Sequence, residues 1–172
     1  MADLMVHIEE LNLETGSYRF KSPEEIFDRA EQLTGKTLYE VLDLESGIVS
    51  SAHTKGKIGQ EIQEKYFFMK NDNESRPDFE TAQIELKVTP IRATKKKGYK
   101  AKERLVLNTI DYLKVPEEKF NTFLKKNSHI LIIFYVWEEG KNLYEFRIDK
   151  VVDWIPTKDE KDLIKKDWDL IQ

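Results

Sequence analysis

Asp78 and Glu85 stand seven residues apart in a segment that reads Pro77-Asp78-Phe79 and then Glu85-Leu86-Lys87. Two carboxylates brought together offer the hard anionic oxygens that hold a divalent ion such as magnesium. A lysine beside them favours hydroxide and offsets the charge that builds on phosphorus oxygens. Together these groups are the equipment of metal-dependent phosphodiester cleavage. Ile84, Leu86 and Val88 alternate with Glu85, Lys87 and Thr89, the pattern of a strand with one face in the core, so Glu85 and Lys87 point the same way. Glu-x-Lys recurs at Glu117–Lys119 and Glu139–Lys141. Only the Glu85 copy lies on a convincing strand, follows a Pro-Asp and runs straight into a basic stretch. An ordinary exposed cross-strand Glu–Lys pair is the competing reading.

From Lys87 to Arg104 the chain carries eight basic residues against one glutamate, a local charge of +7 where the whole chain has −4. Arg92, Lys95, Lys96, Lys97, Lys100, Lys102 and Arg104 could hold a phosphate backbone. A solvated basic loop is the alternative.

Composition removes other chemistries. The 172 residues contain no cysteine, which excludes disulfides, thiolate zinc sites, iron–sulfur clusters and a cysteine nucleophile. His7, His53 and His129 are scattered, giving little material for a histidine metal site or a Ser-His-Asp triad. With 40% hydrophobic and 35% charged residues and no apolar run near the roughly 20 of a membrane span, the chain reads as one soluble domain over residues 1–172. The N-terminus lacks a secretory signal, and the cytoplasm is the expected location.

These groups need a scaffold. Residues 1–21 show no clear period and read as a flexible arm. Ser22-Pro23-Glu24-Glu25 is a capping box opening a helix with Ile26, Phe27, Ala30 and Leu33 inward and Gly35 as its stop. Thr37–Glu40 repeats the box before a short helix with Leu38, Val41 and Leu42. A third helix from Lys55 to about Phe68 carries Ile58, Ile62 and Tyr66 on one stripe. After the loop Asn71–Pro77 come strands at Ile84–Thr89, Leu105–Ile110, His129–Val136 and Leu143–Val151, with a helix at Pro116–Lys126. Thr157–Glu160 caps a terminal helix whose apolar side is Leu163, Ile164, Trp168 and Ile171. The class is α/β, a mixed sheet flanked by helices.

The blocks TKGKIGQEIQEKYF (Thr54–Phe67), NESRPDFETAQIELKVTPI (Asn73–Ile91) and KERLVLNTIDY (Lys102–Tyr112) resemble the MutH-type endonucleases, a family that joins the strand-nicking enzyme of mismatch repair to the GATC-cleaving type II restriction enzymes. Looser similarity at SPEEIFDRAEQLTGKTL and DWIPTKDEKDLIKKDW extends it over most of residues 22–170, and KERLVLN is closer to the restriction enzymes. The resemblance implies a PD-(D/E)xK nuclease core. It makes Asp78 and Glu85 metal ligands with the Leu86 carbonyl as a third, Lys87 the catalytic lysine and Lys126 a second active-site lysine. For Lys126, a helix C-terminal lysine favoured by the macrodipole is the alternative. Magnesium, with manganese as a substitute, is the implied cofactor, and double-stranded DNA the implied partner.

The chain departs from the family pattern at Gln63, where a glutamate is expected four residues after Gly59; Glu64 is its neighbour. Three readings stay open: Glu64 substitutes, metal affinity and turnover are reduced, or the residue was changed to quiet the enzyme. The family also continues past the matched region, and the ending DLIQ reads as a fragment of a longer enzyme that lacks a C-terminal domain and part of the recognition apparatus. The leading expectation is a type II restriction endonuclease acting at GATC, with a dimer on DNA left open. The alternatives are a mismatch-repair nickase under a MutL-like partner and a catalytically weakened DNA-binding domain.

Overall fold

The computed structural model describes residues 20–44, 56–70, 75–96, 98–108 and 120–171. Residues 1–19 of the expected N-terminal arm, Lys97 and the Glu117–Lys119 pattern lie outside them, and Phe20, expected in the flexible arm, is instead buried in the core against the Phe67 and Phe79 rings. Helices α1 (Pro23–Glu31) and α2 (Leu38–Val41) open as expected. In each, the cap side chain accepts from the third helical N–H while that glutamate accepts from the cap backbone, which satisfies donors the helix cannot use. Helix α3 (Lys57–Glu61) runs into a π-helical turn, Ile62–Tyr66. Strands β1 (Glu85–Ala93) and β2 (Tyr99–Ala101), helix α4 (Phe120–Lys126), strands β3 (Ile130–Val136) and β4 (Arg147–Trp154), and helix α5 (Lys158–Ile171) complete the order.

The sheet order is β2-β1-β3-β4. β1 and β3 are parallel, whereas β2 and β4 lie antiparallel to their neighbours, so the sheet is mixed. One face, with Leu86, Leu131 and Ile133, packs on Ile26, Ala30, Leu33, Leu38, Ile58 and Ile62 from the N-terminal helices. Glu85, Thr89, Ile130 and Ile132 on the other face are buried as well. α4 reaches that face through Lys126, and the rings of Phe120 and Phe123 join α4 to Trp168 of α5. The simple alternation expected for β1 therefore fails, because both of its faces are covered.

Pro90 sits inside this central strand without breaking it. Its nitrogen and carbonyl face the β2 side, where the carbonyl accepts from the Lys102 N–H at 3.1 Å, while β3 bonds the opposite edge, so the missing N–H costs no bond of the β1–β3 ladder.

Other expectations need correction. Residues 105–108 are irregular rather than a strand, and 109–110 lie outside the described residues. The segment expected to be a strand from Leu143 begins as a 3-10 turn, Leu143–Glu145, because Asn142 and Glu145 form a capping box of their own; the strand starts at Arg147 and runs on to Trp154. The α3 stripe slips by one residue: Phe67 is fully buried where Tyr66 was expected, since a π turn adds a residue per turn. Leu163, expected inward, is 59% exposed, and Trp168 carries the buried side of α5.

Candidate active site

Asp78 and Glu85 are brought together by a tight loop. The backbone of Phe79 donates to Ile84 at 2.9 Å and accepts from it at 3.2 Å, closing the chain on itself. Gln83 adopts φ 56° inside the loop. The Phe79 ring anchors it, meeting Phe67 and Phe20 edge-on at 5.2 and 5.9 Å. This fold-back sets Asp78 beside β1, where the Leu86 N–H donates to Asp78 Oδ2 at 2.9 Å. In an extended strand the N–H and C=O of one residue face the same edge, so the Leu86 carbonyl is turned toward Asp78 too. Glu85 is fixed from the other edge, its N–H donating to the His129 carbonyl at 3.0 Å.

Lys87 and Lys126 converge on Glu85, their Nζ atoms 2.7 and 3.8 Å from Oε1. Glu85 is only 3% exposed, and its Oε2 is buried with no hydrogen-bond partner. Burial, above all, pushes both carboxyls above their usual range. Asp78 adds to this at Glu85, and the two lysines pull each back. A buried carboxylate oxygen without a donor, next to a second, half-buried carboxylate, fits a cation, which would relieve both the desolvation and the mutual repulsion.

Gln63 joins the cluster: its Nε2 donates to Asp78 Oδ1 at 3.0 Å. Glu64 does not join it, being exposed. Among the described residues no group of three or more His, Cys, Asp or Glu is placed to hold a metal ion. The Glu139–Lys141 pattern lies in a loop in which Glu139 is exposed and Lys141 pairs with Glu138 at 2.6 Å.

Sequence reasoning missed the parts that hold Gln63. Arg29 donates through Nε and Nη2 to the Tyr66 carbonyl at 3.2 and 2.7 Å, stacks on the Tyr66 ring at 4.3 Å, and accepts the Tyr66 hydroxyl on its own carbonyl at 2.7 Å. This clasp ties α1 to the end of the π turn that carries Gln63. No local pattern announces a contact between residues 37 positions apart.

The basic stretch forms a hairpin at the far end of β1. Arg92, Lys95, Lys96, Lys100, Lys102 and Arg104 are all exposed. Arg92 lies directly opposite Lys100 in the β1–β2 register. Like charges so placed repel, an arrangement that a bound polyanion relieves. Lys102 is held over the Trp137 ring at 4.5 Å. Between the hairpin base and Lys87, a cleft of about 500 Å³ runs along the unpaired edge of β1, lined by Gly56, Gly59, Thr89, Lys102 and Arg104 among others. Within it, burial and then the nearby Glu103 push the Tyr135 hydroxyl up to about 12.

With this geometry in view, comparison with known proteins settles the lineage. The family model described as DNA mismatch repair enzyme MutH matches residues 67–167. The chain belongs to the MutH family. The type II restriction enzyme Sau3AI of Staphylococcus aureus is 36% identical over 156 residues, which cover 88% of this chain and 31% of that protein. The chain thus spans about a third of the length of this relative. The MutH match includes the Asp78 loop, Glu85, Lys87, Lys126 and the basic hairpin, and it begins just after the π turn.

Proposed function

We propose that this chain carries the cleavage centre of a divalent-cation-dependent DNA endonuclease of the restriction type. The observation that carries the reading is the convergence of Asp78, Glu85, Lys87 and Lys126 around a buried carboxylate oxygen that has no partner. Asp78, Glu85 and the Leu86 carbonyl are the groups to hold magnesium, or manganese in its place. Bound there, the ion would polarise a phosphate oxygen and lower the pKa of a coordinated water.

The chain's own residues supply the rest. Lys87 and Lys126 present ammonium groups where negative charge gathers on the phosphoryl oxygens as water adds in line and the P–O3′ bond breaks, leaving a 5′-phosphate. Burial of Glu85 keeps bulk water from fully screening these charges. Arg92, Lys95, Lys96, Lys97, Lys100, Lys102 and Arg104 position the duplex through its phosphates. GATC is the proposed site, supported by membership in the MutH family and the similarity to Sau3AI. The family model's description also supports a second reading, nicking in mismatch repair under a MutL-like partner.

Supercoiled plasmid bearing GATC, incubated with and without magnesium, separates these. Metal-dependent linear products favour restriction, and nicked circles alone favour the repair reading. DNA binding with no cleavage in any divalent metal would leave only a DNA-binding domain.

A further inference from the structure

We propose that Gln63 is a positioning residue that fixes Asp78 for one divalent cation and, being neutral, keeps the centre from taking a second. The inference rests on the reading of Asp78 and Glu85 as cation ligands.

Both oxygens of Asp78 are held by N–H donors, Oδ1 by Gln63 Nε2 at 3.0 Å and Oδ2 by the Leu86 backbone at 2.9 Å. Each carboxylate oxygen keeps a second lone pair, so the donors lock the rotation of the group without exhausting it. An amide facing a carboxylate presents its NH2, since oxygen against oxygen repels. Gln63 therefore directs its positive end at Asp78 and its carbonyl oxygen away.

Charge points the same way. Asp78 and Glu85 are balanced by Lys87 and Lys126, both within 4 Å of Glu85 Oε1. One divalent ion can be tolerated by the buried Glu85, whose Oε2 lacks a partner, beside the half-buried Asp78. A second ion would need a further anion, and among the described residues no third Asp, Glu or His joins the pair. Glu64 is one residue away and exposed.

Gln63 is held in place by its backbone. It lies in the π turn, and its carbonyl accepts from the Met69 N–H at 2.9 Å. The Arg29–Tyr66 clasp closes the same turn three residues on. Such wide turns commonly serve to aim a side chain at a functional site.

The test is a manganese titration of the full chain, followed by calorimetry and by electron paramagnetic resonance, on the wild type, Asp78→Ala, Gln63→Ala and Gln63→Glu. The expected result is one manganese per chain in the wild type, lost in Asp78→Ala. Gln63→Ala should keep one site at roughly 10-fold weaker affinity or worse, as removal of a group that orients a ligand does. Gln63→Glu should bind two. Two manganese ions in the wild type, or an unchanged affinity in Gln63→Ala, overturns the proposal even if Gln63→Glu does not fold. A folded Gln63→Glu that still binds one ion at unchanged affinity does so too. Binding of none by the wild type, or binding that Asp78→Ala leaves intact, instead overturns the cation reading on which the proposal rests.

Discussion

The two ends of β1 carry opposite kinds of chemistry. At its start, Glu85 is buried and Lys87 nearly so, with oxygens and ammonium groups at hydrogen-bonding distance. At its end, Arg92 faces Lys100 across an exposed ribbon. The first end depends on geometry: each group is held by specific partners at fixed distances, and desolvation makes a misplaced charge costly. The second depends on charge: the side chains are solvated, and any polyanion of suitable spacing can satisfy them. A single strand thus joins a centre that should tolerate almost no substitution to a surface that should degrade by degrees.

Lys87→Ala should break this comparison most sharply. Removing a cation aimed at developing charge costs about 10²- to 10³-fold in turnover. DNA affinity, measured by gel shift in calcium, should change less than threefold, because the hairpin remains. Equal losses in both assays would mean that the two ends are not separable.

Charge reversal in the hairpin is the complementary change. If all seven basic residues meet phosphates, log K against log salt should have a slope of about −6. Lys95→Glu with Lys96→Glu should make that slope shallower by about 2. The cleavage rate at saturating DNA should stay near that of the wild type.

Acid stability sharpens the contrast from the buried side. Asp78 and Glu85 have carboxyls raised in the folded state, chiefly by burial. Their contribution to stability is full below the ordinary carboxylate range near roughly 4 and is lost as pH rises through the raised values. Without metal, Glu85→Gln should therefore melt a few degrees above the wild type at pH 7, and the gap should close as the pH is lowered. Magnesium should raise the melting temperature of the wild type and leave Glu85→Gln nearly unchanged. A wild type that is the more stable of the two at pH 7 without metal would reverse the sign.

The smallest effect lies away from both ends. Thr157 accepts from the Glu160 N–H, and Glu160 accepts from the Thr157 N–H at 2.7 Å. Loss of this cap in Thr157→Ala should cost about 1 kcal/mol of unfolding free energy in urea, with cleavage unchanged.

What could be read from the sequence follows from how local each signal is. Capping boxes span four residues and carry their own hydrogen bonds, so the starts of α1, α2 and α5 were legible. The apolar run at β3 was legible because a doubly covered strand needs no alternation. Asp78, Glu85 and Lys87 could be grouped because a loop and a strand of two-residue period are enough to bring them together. The π turn could not be seen, because the residue it adds is stabilised by Arg29, which is 37 positions from Tyr66. Glu85 was expected at a half-open surface, and its burial depends on α4, which covers it from much later in the chain. The strand expected from Leu143 failed at Asn142, whose local cap outcompetes sheet pairing for three residues.

The central claim is that a buried centre cuts what an exposed ribbon binds, and one paired measurement tests it most directly. Wild type and Lys87→Ala are given the same supercoiled GATC plasmid in magnesium, and bound and cut DNA are quantified from the same reactions. The expected result is binding equal within about threefold, with cutting by Lys87→Ala slowed about 10²- to 10³-fold and cutting by the wild type abolished by chelation. Cutting by Lys87→Ala at the wild-type rate, or cutting that survives removal of the metal, would contradict it.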